Sequence, residues 1–81
     1  MKRRLAGESR CKDAALRYYL LTEESAAGPL YGVQAELGGE QAAVSGITTS
    51  RQRVQGLLDG LIRGQVTPVA LRDVVDDWLL A

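Results

Sequence analysis

Residues 54–62 read Val-Gln-Gly-Leu-Leu-Asp-Gly-Leu-Ile, and residues 71–79 read Leu-Arg-Asp-Val-Val-Asp-Asp-Trp-Leu. Val54, Leu57, Leu58, Leu61 and Ile62 share one spacing, and Leu71, Val74, Val75, Trp78 and Leu79 repeat it. That spacing returns to one side of an α-helix at about 3.6 residues per turn, so each stretch is an amphipathic helix. Two such helices joined by a short turn cannot hide their apolar faces from water alone. They must cover a further layer, and Trp78, the largest side chain on the second stripe, is expected to be buried against it.

The boundaries of both helices are legible. Thr49-Ser50-Arg51-Gln52 fits a capping box, with Thr49 as the cap and the Gln52 side chain reaching back. Gly64 follows the first stripe and suits a left-handed helix end. Thr67-Pro68 opens the second helix, because proline at the first helical position gives up no needed hydrogen bond.

Upstream, Ala14–Thr22 suits a strand that is apolar on both faces: Leu16, Tyr18 and Leu20 alternate with Ala15, Arg17, Tyr19 and Leu21. Such a strand is central in its sheet or covered by another chain. Residues 23–29 read as a loop. Leu30–Leu37 is a second strand, with Tyr31, Val33, Ala35 and Leu37 on one side, and Gly38-Gly39 is a hairpin turn into a short third strand, Gln41–Ile47. The expected fold is α+β (βββαα): a three-stranded antiparallel meander followed by two amphipathic helices packed on one sheet face.

The string Arg17-Tyr18-Tyr19-Leu20-Leu21, then Tyr31-Gly32-Val33, then Val66-Thr67-Pro68 with Leu71 and Asp73-Val74-Val75-Asp76-Asp77-Trp78-Leu79, carries a resemblance. It resembles a family of short uncharacterised Firmicutes proteins with a Tyr-Gly-Val strand and a closing Thr-Pro-x-x-Leu-x-Asp-Val-Val-x-Asp segment. The resemblance implies a small cytoplasmic bacterial domain and lends no catalytic residues.

With 81 residues and only four aromatic side chains, the chain forms one small domain with an aliphatic core, and oligomerisation is a reasonable expectation. Cys11 is the single cysteine, so no internal disulfide forms and its thiol reads as incidental. No long apolar run follows the basic start, which argues against a signal peptide or a membrane span. The net charge of zero hides an asymmetry: residues 1–12 hold Lys2, Arg3, Arg4, Arg10 and Lys12 against Glu8 alone. Residues 1–12 are therefore expected to be a basic, poorly ordered tail, and residues 13–81 a single α+β domain.

Histidine is absent, which removes the commonest general acid–base group and the Ser-His and Cys-His nucleophile pairs. No enzyme and no cofactor is expected. Asp73, Asp76 and Asp77 share one helix face and read as solvated carboxylates in preference to a cation site. These acids near a helix C-terminus, and Arg51 and Arg53 in the first turn of the other helix, oppose the helix dipoles, which suggests that the charges answer to something else. Gly56 and Gly60 lie opposite the Val54–Ile62 stripe, where each costs about 1 kcal/mol relative to alanine unless a partner approaches closely.

The sequence thus points to a small non-catalytic protein-interaction or regulatory module of the bacterial cytoplasm, as a homodimer or with an unidentified protein partner. Its candidate interface residues are Gly56, Gly60, Arg53, Tyr19, Asp73, Asp76 and Asp77. The alternative is a nucleic-acid-binding protein that uses Lys2, Arg3, Arg4, Arg10, Lys12 and a sheet tyrosine.

Overall fold

Lys2–Cys11, Ala14–Ser25, Gly28–Leu37 and Glu40–Thr48 form strands β1 to β4, and Arg51–Arg63 and Pro68–Leu80 form helices α1 and α2. The computed structural model describes residues 1–80, with Cys11 described in its backbone alone, so the expectation for the Cys11 thiol lies outside the described residues. The strands pair in chain order into one antiparallel sheet, and both helices lie on one of its faces.

The sheet has four strands, not the expected three, because the stretch read as a tail is strand β1, paired with β2 from Lys2↔Thr22 to Cys11↔Ala14. The reason it escapes an apolar-alternation test is visible in its packing. Gly7 and Ser9 lie opposite Tyr18 and Leu16, on the side that faces the helices. A Cβ on Gly7 would collide with Ile62 Cδ1, so β1 serves the core by carrying small side chains where α1 crosses it. Its long side chains lie on the other face, apart from Lys2 and Arg4, which stand on the helix side near the start of α1. So many charges suit an exposed edge strand.

Strand β2 is longer than expected and runs to Ser25, so most of the supposed loop at 23–29 is paired strand around an Ala26-Ala27 turn. Gly38 takes φ +60° in the Gly38-Gly39 turn, the left-handed conformation expected of that hairpin.

The core gathers Leu16, Tyr18 and Leu20 of β2, Tyr31, Val33 and Ala35 of β3, Val54, Leu57, Leu58 and Leu61 of α1, and Leu71 and Val75 of α2. These are the alternate residues of two central strands and the inward stripes of two helices, joined in one apolar layer. Two expectations for α2 are corrected: Trp78 is only half-buried at the margin of this core, and Leu79 is 49% exposed. Helix α2 returns antiparallel to α1, so that the Arg53 guanidinium lies over the Trp78 ring at 4.9 Å.

The helix ends also differ from expectation by one residue each. Ser50, not Thr49, caps α1: its Oγ accepts from Arg53 N at 3.2 Å, while Thr48 Oγ1 accepts from Ser50 N at 3.1 Å. The third helical position is then Arg53, which has no acceptor to complete a capping box. At the other end Gly64 is right-handed, and Gln65 takes the left-handed conformation at φ +51°. Gln65 N donates to Ile62 O and Val66 N donates to Leu61 O, the paired bonds of a Schellman motif. A non-glycine there costs on the order of 1 kcal/mol. The Gln65 side chain offsets it by donating to Ser9 Oγ at 3.1 Å and to the Arg10 carbonyl at 2.9 Å.

Candidate functional site

Alternation along four strands leaves a second face that neither helix covers. Read across the register, it is built in rows. Arg3, Leu21 and Gly32 make one row, Leu5, Tyr19, Gln34 and Ala43 the next, and Glu8, Arg17, Glu36 and Gln41 a third. The first two rows, with Leu30 beyond them, form a small apolar island. Leu21 is buried to 4% exposure although no helix lies on it, and Leu5 at the edge is 55% exposed.

The third row is polar and internally satisfied. Arg17 Nε donates to Glu8 Oε2 at 2.9 Å, and its guanidinium lies 3.8 Å from Glu36 Oε1. The hydrogen bond and the charge of Glu8 hold Arg17 more firmly protonated than an isolated arginine. Both groups are half-exposed, so the pair orders the surface more than it stabilises the fold. Gln34, itself buried, donates to Gln41 Oε1 at 2.9 Å.

Of the candidate interface residues singled out from the sequence, only Tyr19 belongs to this face. The Arg3 guanidinium lies over its ring at 4.3 Å, so one side of the ring is already occupied by a cation. Gly56 and Gly60 are exposed on the back of α1, and Asp73, Asp76 and Asp77 on the outside of α2. Among the described residues no group of acidic or sulfur side chains is arranged to hold a metal ion. The ion pairs among the described residues are those of Arg17, so the helix arginines do not answer the α2 carboxylates, and Arg53 meets Trp78 instead.

A Cβ built on Gly56 or Gly60 meets nothing within 4 Å. Gly56→Ala combined with Gly60→Ala is therefore expected to stabilise the isolated chain by about 1–2 kcal/mol, read by urea unfolding. A double variant less stable than the wild type, with weakened association, would show that a partner does sit against this helix back.

The cations of β1 divide by alternation. Arg3 and Arg10 pair with Leu21 and Ala15 on the uncovered face, Lys12 sits in the β1–β2 turn at φ +57°, and Lys2 and Arg4 pair with Thr22 and Leu20 on the helix side. Lys2 and Arg4 meet Arg51, the first residue of α1, around a groove of about 600 Å³. The sequence placed Lys2 and Arg4 in a tail and Arg51 in a cap, and only the strand phase of β1 brings the three together. Leu5 was likewise passed over, because it joins the face of Tyr19 and Leu21 only once β1 is a strand.

A family model described as a family of unknown function (DUF6514) matches residues 2–81, and the chain belongs to that family. No curated protein and no solved structure matches the chain. Among the described residues no helix is long and apolar enough to cross a membrane.

Proposed function

We propose that this chain is a small non-catalytic interaction module that binds a second copy of itself through the uncovered face of its sheet. The carrying observation is the apolar island of Leu5, Tyr19, Leu21 and Leu30 on a face that its own helices leave bare. A four-stranded sheet of this length spans about 15–20 Å by about 30 Å, on the order of the surface that one partner buries in a standard interface. The island would lie at the centre of such a contact, and the Glu8–Arg17–Glu36 row at its wet rim, where ion pairs keep their hydration. The lack of histidine supports a role without acid–base catalysis. The single cysteine and the motif resemblance support a place in the bacterial cytoplasm.

Leu5→Glu tests this reading, because it puts a charge in the island at an exposed position that the core does not use. Sedimentation equilibrium should show a wild-type dimer and a folded monomeric variant. A wild type that stays monomeric up to about 1 mM would dispose of self-association.

A further inference from the structure

We propose that the groove between the start of β1 and the start of α1 is a binding site for a small ligand carrying a phosphate group. Its walls are Lys2 and Arg4 on β1, Thr22 and Glu24 on β2, and Arg51 on α1, over a floor formed by Leu20. Arg3 also borders it, although its guanidinium lies over Tyr19. The volume, about 600 Å³, is in the range of small-molecule sites.

The charge distribution is what marks the groove. In a chain with equal numbers of acidic and basic residues, Lys2, Arg4 and Arg51 line one concavity in which Glu24 is the one acid. Three cations from two elements around one concavity repel each other, and a bound dianion removes that repulsion. The register makes the grouping systematic: Arg4 pairs with Leu20 and Lys2 with Thr22, so both cations project on the side where α1 begins.

Arg51 adds the local chemistry. The first turn of α1 contains no acidic residue, and Ser50 already serves Arg53 N and, through its carbonyl, Val54 N. The amides of Arg51 and Gln52 have no partner within the helix. An arginine in a positive first turn is unfavourable by itself. It becomes favourable where an anion sits between its guanidinium, the helix amides and Arg4, since arginine offers two parallel donors to phosphate oxygens. Thr22 supplies a hydroxyl donor, and the buried Leu20 keeps the base of the groove dry.

The test uses the full chain and sodium pyrophosphate as probe, followed by amide NMR at low ionic strength. Saturable shifts at Arg51, Gln52 and Thr22 are expected, with Arg4→Gln and Arg51→Gln each weakening binding about tenfold. Arg10→Gln, on the other face of β1, should leave the affinity unchanged. All three positions are exposed, so the variants should fold, and thermal melts check that they do. Absence of saturable binding, or equal weakening by Arg10→Gln, overturns the site. So does a single-stranded oligonucleotide that binds through Arg10 and Lys12 as much as through Arg4, which would mean a diffuse polyanion surface.

Discussion

Tyr18→Ala is expected to remove a large fraction of the protein's stability. The Tyr18 side chain is wholly buried at the centre of β2, among residues of both helices and β3. Truncating an aromatic residue in such a place costs about 3–5 kcal/mol, because transfer energy is lost and a cavity remains. A domain of this size has a total stability on the order of 4–12 kcal/mol. The hydroxyl has a separate role: it donates to the Val66 carbonyl at 2.8 Å and so fastens the turn between the helices to the sheet. Tyr18→Phe keeps the ring and leaves that carbonyl short of a donor, and is expected to cost about 1–2 kcal/mol. Urea unfolding followed by Trp78 fluorescence separates the two. A Phe variant as unstable as the Ala variant would place the stabilisation in the hydrogen bond and not in the burial.

Gly32→Ala is expected to be nearly as damaging, for a different reason. An added Cβ would collide with the Val44 carbonyl oxygen and stand 2.6 Å from Ser45 Cα. Both are backbone atoms, held where β3 and β4 change register between Tyr31 and Val33 and where Gly46 takes φ +63°. No side-chain rotation relieves the clash, so β4 must move away, at a cost of about 3 kcal/mol. That corresponds to a fall in melting temperature on the order of 15 °C. Faster amide exchange confined to β4 would show that the strand separates locally. Gly7 makes the contrast: its added Cβ meets the tip of Ile62, a flexible side chain that can turn aside. A Gly32→Ala variant no less stable than Gly7→Ala would contradict this account.

The legible parts of the fold were those where burial and periodicity coincide. Val54, Leu57, Leu58 and Leu61 are all buried on α1, and Leu71 and Val75 on α2. The double-faced apolar pattern of β2 marked a central strand, and β2 has a neighbour on each side. Tyr18 and Tyr19 do divide between the faces, with Tyr18 in the core. Strand β1 was illegible because it contributes glycine and serine where α1 crosses it and charges elsewhere on both faces. Strand propensity and alternation carry no signal when a strand is held by its partner's backbone. The groove followed β1 into obscurity, since Lys2, Arg4 and Arg51 are neighbours only through register. The left-handed residue at the end of α1 was misassigned for a related reason: Gly64 looked like the cap, and Gln65 holds that conformation through contacts on β1.

Those Gln65 contacts bear on how the chain is made. The hairpins pair neighbours in sequence, so β1 to β4 can begin to associate as they leave the ribosome. The bonds that seat the helix layer span 48 residues from Tyr18 to Val66 and 56 from Ser9 to Gln65. Until the Gln65 turn has emerged, a nascent four-stranded sheet shows its full apolar face to water, with two unpaired edges. The positive charges of β1 then repel a second nascent sheet at one edge. Lys2, Arg3 and Arg4, which border the groove in the folded protein, thus also charge the open edge of the sheet before the helices dock.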